Sequence, residues 1–272
     1  MIRFNEEKQA NEICIIEIFK SLNGEGWAAG LPTVFIRTMG CNLRCKFGTH
    51  MSDKEGTILN GFCDTPECFS EKHFKEMYPD GQLSWYTARE IFDKVQKMEE
   101  GWRWHSICLT GGEPLMEENK EFMIKELIPL FVCEDYDVSV ETNGSIDYTD
   151  YKANFGYAFA FTDGHREGLT LIADYKLPSS GMSSKMRNVN LALYDETDII
   201  KMVVSDNEED WKELDEVVKS GTAASIYISP MFGQVDTEKL WHYAEQHADV
   251  PVKVQVQLHK VIFSSDPNKK GV

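Results

Sequence analysis

An α/β fold built on a parallel sheet is what this sequence predicts, and three observations predict it. Short apolar runs alternate with amphipathic segments along the chain, the pattern of strands joined by right-handed helical crossovers. The turns that carry reactive residue types, Gly111-Gly112-Glu113-Pro114, Glu141-Thr142-Asn143-Gly144 and Asp174-Tyr175-Lys176-Leu177-Pro178, each follow an apolar run. They therefore fall at the C-terminal ends of presumed parallel strands, where such folds place their ligands. Near the C-terminus, Val252, Val254, Val256 and Leu258 alternate with Lys253, Gln255, Gln257 and His259. That alternation gives one face for helices and one polar face, as a barrel lumen needs.

The elements follow in order. Ile13–Phe19 and Val34–Thr38 read as strands flanking the turn Asn23-Gly24-Glu25-Gly26. Thr87-Ala88-Arg89-Glu90 has the form of a capping box opening a helix, with Ile91, Val95 and Met98 on one face. Ser106–Leu109 is a short strand leading into the glycine turn, and a helix near Phe122–Phe131 precedes a strand at Val138–Val140. Leu169–Lys176 and Ile199–Val204 repeat the pattern. Trp211, Leu214, Val217 and Val218 form a helical stripe before a strand at Ser225–Ile228. Leu240, Tyr243, Ala244 and His247 mark a last helix before a strand over Val252–Leu258. No repeat, low-complexity stretch or linker divides residues 1–272, so a single domain is expected.

Composition narrows the functions. A formal charge of −17 argues against general binding to nucleic acid or anionic membranes, which needs clustered Lys and Arg. Acidic blocks at Glu117-Glu118, Glu134-Asp135 and Glu208-Glu209-Asp210 read as solvated faces. There is no apolar run of bilayer length and no apolar signal core after Met1. Seven cysteines in a chain this long point to a reducing cytoplasm and to metal or redox chemistry rather than disulfides.

Three of those cysteines, Cys41, Cys45 and Cys63, lie where they could hold an iron–sulfur cluster with one iron left open. A tight loop would bring the third thiol within a turn of chain after Cys45, whereas here Gly48–Gly61 intervenes. Cys41, Cys45, Cys63 and Cys68 could instead hold structural zinc, although zinc sites favour paired short spacings on both sides. Cys14, Cys108 and Cys133 sit in or beside apolar segments and read as buried small hydrophobes.

Read together, Cys41-Asn42-Leu43-Arg44-Cys45, Cys63-Asp64-Thr65 and Thr110-Gly111-Gly112-Glu113-Pro114 resemble the radical S-adenosylmethionine enzymes, with the third cysteine displaced by an insertion at 46–62. More narrowly, the chain is similar to the 7-carboxy-7-deazaguanine synthase family. The likeness runs through Phe19–Gly26, Phe35–Cys45, Val140–Ser145, Asp174–Gly181 and the ending Gln255–Lys260 with Gly271-Val272. It implies a partial (β/α) barrel with residues 252–272 closing the site.

The resemblance implies a 4Fe–4S cluster on Cys41, Cys45 and Cys63. It implies S-adenosylmethionine held by Phe62, Cys63, Asp64, Gly112, Ser139, Val140, Glu141, Thr142, Asn143, Asp174, Tyr175 and Lys176. Thr65 would hold Mg²⁺, a hard cation that takes oxygen ligands. The substrate implied is 6-carboxy-5,6,7,8-tetrahydropterin, contacted by Leu22, Asn23, Gly24, Glu25, Arg37, Thr110 and Val272. A guanidinium such as that of Arg37 suits planar recognition of a carboxylate. Asn23 stands where glutamine is common in the family, and His259 is a further candidate on the polar face. A flavodoxin or ferredoxin type electron donor and a homodimer belong to the same expectation. A glycyl-radical activase would share the cluster but gives no reason for Arg37, Cys63-Asp64-Thr65 or the C-terminal tail.

Overall fold

The structure is a computed structural model that describes residues 3–4, 11–46, 49–51, 58–60, 63, 65–155, 168–231 and 235–263. Strands β1 (Arg3–Phe4) and β2 (Ile13–Leu22) lead into β3 (Pro32–Thr38). A ribbon of β4 (Thr49–Met51) and β5 (Ile58–Asn60) lies within the inserted segment and forms a sheet of its own. Then come α1 (Glu71–Met77), β6 (Ser84–Tyr86), α2 (Ala88–Met98) and β7 (Ser106–Gly111). Helices α3 (Glu117–Phe122) and α4 (Ile128–Cys133) precede β8 (Asp137–Thr142), α5 (Thr149–Phe155) and β9 (Leu169–Asp174). The chain continues through β10 (Ile199–Val204), α6 (Glu208–Val218), β11 (Ser225–Pro230), α7 (Thr237–Gln246), β12 (Val252–Val254) and α8 (Leu258–Ile262).

The main sheet runs β1-β6-β2-β3-β7-β8-β9-β10-β11-β12, and every pairing from β3 to β12 is parallel. β2 is antiparallel to β3 and to β6, and β6 to β1. The two ends of the sheet do not pair, so the expected partial barrel is open. Parallel neighbours require crossovers: α3 with α4, α5, α6 and α7 supply four of them, 3-10 turns between Pro178 and Ala192 join β9 to β10, and the path from β3 to β7 runs through α1, β6 and α2. The antiparallel β2–β3 pair instead turns back through the residues between Leu22 and Pro32.

Alternation along the strands separates two faces. Ile200, Met202 and Val204 of β10 join Leu171 and Ala173 of β9 in the main core with Leu127, Phe131, Leu214 and Leu240 from the helices. Side chains of this kind contribute about 1.5–3 kcal/mol each on full burial. The intervening Ile172 and Ile199 pack with Tyr227 and Trp27 on the inner face. Lys201 and Asp174 alternate onto that same inner face, one step nearer the strand ends.

Local signals explain several boundaries. The capping box of α2 is formed: Thr87 Oγ1 accepts from Glu90 N–H at 3.3 Å, and Glu90 Oε2 accepts from Thr87 N–H at 3.0 Å. A π turn over Met123–Leu127 joins α3 to α4. Pro129 follows it; the ring excludes the carbonyl four residues back, and the wider turn relieves that clash.

Three expectations are corrected. The strand foreseen over Val252–Leu258 ends at Val254, because its partner β11 runs out at Pro230; Gln255 N–H still reaches Ile228 O at 2.9 Å, and the chain then turns into α8. Val254 and Val256 are consequently exposed rather than packed on helices. Asp210 is buried, not solvated, because its carboxylate accepts from Ser179 N–H, Ser205 N–H and Ser205 Oγ–H. Cys133 is exposed at the end of α4, whereas Cys14 and Cys108 are buried as foreseen. Among the described residues no helix is long and apolar enough to cross a membrane.

Candidate active site

The strand ends converge because their turns lock onto one another. Gly112 N–H donates to Thr38 O at 3.2 Å and Glu113 N–H to Gly40 O at 2.7 Å, which lays the glycine turn along the start of the cysteine loop. The fit is close enough that a Cβ on Gly112 would lie 1.9 Å from Gly40 O. Gly111 and Gly40 both hold positive φ, 117° and 98°, a region open to glycine.

Glu113 fastens this turn to the next strand end. Its Oε1 accepts from Leu115 N–H at 2.9 Å and Thr142 Oγ–H at 2.8 Å, and its Oε2 accepts from Asn143 N–H at 2.6 Å. It is fully buried, and burial pushes its carboxyl up to about 7 against the pull of those bonds. Asn143 Nδ2 donates to Asn42 Oδ1 at 2.8 Å and Asn42 Nδ2 to Ser145 Oγ at 2.8 Å, so the cysteine loop is tied to the β8 turn as well.

These turns enclose a cavity of about 200 Å³. Cys41, Cys45 and Cys63 all line it, with Thr65 and Gly112 beside them. Thr65 Oγ1 lies 3.6 Å from Cys63 Sγ and 3.5 Å from Gly111 O. Three thiols lining one cavity, with Cys68 buried outside that lining, suit a cluster held by three thiolates better than a four-thiolate zinc site. Burial pushes the Cys41 thiol up, so a thiolate there needs a cation bound to it. Cys68, the fourth candidate zinc ligand, is fully buried, and burial pushes its thiol up as well.

Glu141, Thr142, Asn143, Asp174 and Lys176 line the same cavity, at the ends of β8 and β9. Lys176 Nζ donates to Asp174 Oδ2 at 2.7 Å. Burial alone would raise Asp174, yet Lys176 and Lys201 hold it below the ordinary carboxylate value. Glu141 accepts from Thr110 Oγ–H at 2.7 Å, and burial leaves its carboxyl raised. Three expected residues turn elsewhere. Ser139 donates from Oγ to Ile107 O at 3.1 Å, Val140 belongs to the main core, and Tyr175 donates from its hydroxyl to Asn188 Oδ1 at 3.0 Å.

Leu22, Asn23, Gly24, Glu25, Arg37 and Thr110 also line the cavity. Asn23 Oδ1 accepts from Glu25 N–H at 3.2 Å, so this side-chain oxygen shapes its own turn. Arg37 donates from Nε to Glu17 Oε1 at 2.8 Å and stands 5.5 Å from the centre of the Phe19 ring, which stacks on Phe35. One edge of the guanidinium is thus fixed within the wall. Phe62, Asp64 and Val272 lie outside the described residues.

Sequence reasoning missed Lys201 and the partnership of Gln257. Lys201 Nζ donates to Glu25 Oε2 and lies 3.5 Å from Asp174 Oδ2, while Gln257 Nε2 donates to Glu25 Oε1. A signal existed: one lysine interrupts the apolar strand Ile199–Val204, at a position that alternates inward. His259, foreseen as an extra candidate, borders the cavity beside Gly24, whose Cβ position would fall 2.0 Å from the imidazole Nδ1.

A parallel α/β barrel left open, whose strand-end turns gather three thiols and a buried acid–base chain, is the framework of a radical S-adenosylmethionine enzyme. Comparison with known proteins narrows that class. No family model matches the chain. The 7-carboxy-7-deazaguanine synthase of Clostridium acetobutylicum is 33% identical over 261 residues, covering 95% of this chain and 98% of that one. Those of Leptospira interrogans and Methanospirillum hungatei are each 32% identical, covering 94% and 93% of this chain and 96% and 87% of their own. The chain belongs to the 7-carboxy-7-deazaguanine synthase family. Its fold is similar to the crystal structure of QueE from Escherichia coli, with a TM-score of 0.61 at 18% identity, covering 90% of this chain and 94% of that chain.

Proposed function

We propose that this enzyme contracts 6-carboxy-5,6,7,8-tetrahydropterin to 7-carboxy-7-deazaguanine with loss of ammonia, in queuosine-type 7-deazapurine biosynthesis. The observation that carries the reading is that Cys41, Cys45 and Cys63 border the same cavity as Arg37 and the Leu22–Glu25 turn. In this reading, Cys41, Cys45 and Cys63 would hold a 4Fe–4S cluster and the cavity would receive S-adenosylmethionine; bound together, they would supply radical chemistry for hydrogen-atom removal from substrate carbon.

The chain's own residues bind and orient. Gly112, Glu141, Thr142, Asn143, Asp174 and Lys176 receive the cofactor, with backbone of Ser139, Val140 and Tyr175 completing those strand ends. Arg37, steadied by Glu17, meets the substrate carboxylate in a planar pairing that lysine could not reproduce. Glu25 accepts from the N–H edge of the pterin ring, and the backbone of Leu22, Asn23 and Gly24 reads the rest of that edge by donor and acceptor pattern. Thr110 adds a hydroxyl, and Thr65 offers its oxygen to Mg²⁺, which keeps most of its waters. Phe62, Asp64 and Val272 complete the cofactor and substrate sides. The chain acts as a single domain, 1–272, in the cytoplasm as a homodimer. It draws electrons from a flavodoxin or ferredoxin type donor and acts on a small molecule rather than nucleic acid.

Anaerobic reconstitution with iron and sulfide, followed by reductant, S-adenosylmethionine, Mg²⁺ and the carboxypterin, tests the reading by mass analysis. Formation of the carboxydeazaguanine with 5′-deoxyadenosine supports it. Release of 5′-deoxyadenosine without the deazapurine overturns the substrate assignment, and a colourless zinc-loaded protein overturns the cluster.

A further inference from the structure

Glu25 and Asp174 are carboxylates that both line the cavity, and one ammonium reaches both. Lys201 extends from the middle of β10, in register with Asp174 across the β9–β10 pair, so both side chains leave the same face. Its Nζ donates to Glu25 Oε2 and lies 3.5 Å from Asp174 Oδ2. Asp174 Oδ2 also takes Lys176 Nζ at 2.7 Å, and Glu25 Oε1 takes Gln257 Nε2. The result is a chain of contacts among lining residues, Lys176–Asp174–Lys201–Glu25–Gln257.

Burial makes this chain stiff. The side chains of Lys201 and Glu25 are only 9% and 6% exposed. An ammonium so placed cannot turn to water, so two carboxylates fix its position, and it offsets their mutual repulsion. A ligand that draws Lys176 off Asp174 leaves Asp174 to take more of Lys201 and so frees Glu25 to accept, and a ligand that occupies Glu25 releases Lys201 to Asp174 and so frees Lys176.

We propose that Lys201 is a positioning residue that couples the two ligand sites. S-adenosylmethionine at Asp174 and Lys176, and the pterin at the Leu22–Glu25 turn, each tighten the binding of the other through this ammonium. The proposal rests on the ligand assignment made above.

The test is equilibrium binding of S-adenosylmethionine to the reconstituted enzyme without reductant, with and without saturating carboxypterin. Wild type should bind the cofactor about 5-fold or more tightly when the pterin is present, and reciprocity demands the same factor for the pterin. Lys201→Met should bring that factor close to one, and Lys201→Arg should restore part of it. Lys253→Met, which loses a 3.1 Å bond to the Tyr227 hydroxyl on the same sheet, should leave the factor unchanged. A merely structural role would weaken both affinities without changing their ratio. If Lys201→Met does not fold, Lys201→Gln, a neutral side chain that can still donate a hydrogen bond, should also lower the factor toward one. A wild-type factor of one, or a coupling that survives either variant, overturns the proposal while leaving the activity intact. Failure of wild type to bind the pterin at all overturns both this proposal and the substrate assignment.

Discussion

Replacing Glu113 by glutamine should change how stability depends on pH. In the unfolded chain this carboxyl titrates near 4.5, and in the fold burial pushes it up to about 7. Between those values the folded chain keeps a proton that the unfolded chain has given up. The contribution of this group is therefore fully present below pH 4.5 and is lost as pH rises through about 7. The full effect of such a shift is about 3 kcal/mol.

Glutamine cannot ionise, so the variant should lack this slope. It also replaces one of the two oxygens that accept from Leu115 N–H, Thr142 Oγ–H and Asn143 N–H by a donor, at a cost of about 1–2 kcal/mol. Glu113→Gln should then be less stable than wild type at pH 5 and more stable at pH 8. Glu113→Ala should lose about 3–5 kcal/mol throughout, because three buried donors lose their acceptor. Urea unfolding of wild type and variants across that range measures the difference directly. A gap between wild type and Glu113→Gln that stays constant from pH 5 to pH 8, or moves the other way, would show that the carboxyl is not held near neutrality by burial.

Other substitutions separate the site from the scaffold. Gly112→Ala should weaken S-adenosylmethionine binding at least about tenfold, or about 1.4 kcal/mol, because the new methyl would meet Gly40 O at 1.9 Å; cofactor titration checks it. Cys63→Ala should lower the iron retained after reconstitution, whereas Cys68→Ala should retain it, and iron analysis with the visible spectrum distinguishes the two. Thr87→Ala should cost about 1 kcal/mol by removing the cap of α2. Its kcat and KM should stay at wild-type values, since Thr87 is not among the residues that line the cavity.

Features set by neighbours in sequence were legible from the chain alone. The capping box at Thr87 needs only residues three apart, and the strand-end turns announce themselves by glycine and by the apolar runs before them. Features set by distant partners were not. Val252–Leu258 alternates as a strand should, but a strand lasts only as far as its neighbour, and β11 stops at Pro230. Glu113 reads as a turn residue until Thr142 and Asn143 are placed against it. Lys201 meets Glu25 across 176 positions, and Gln257 meets it across 232, distances at which no local pattern speaks. Asp210 in an acidic run reads as solvated until Ser179 and Ser205 close over it. The cofactor side was the more legible because its residues lie in three compact turns.

The early end of β12 gives the barrel a seam. Past Val254 the ladder gives way to separate stitches, among them Gln255 N–H to Ile228 O at 2.9 Å, Gln255 Nε2 to Gly26 O at 3.3 Å, Gln257 Nε2 to Glu25, and Leu258 N–H to Gly24 O at 3.0 Å. The cavity is thus closed on this side by turns and side chains rather than by a continuous ladder, so a substitution there can reshape its rim while the parallel strands stay paired. Gly24 completes the join: only a residue without a side chain leaves room for the His259 imidazole, whose Nδ1 would lie 2.0 Å from a Cβ at that position.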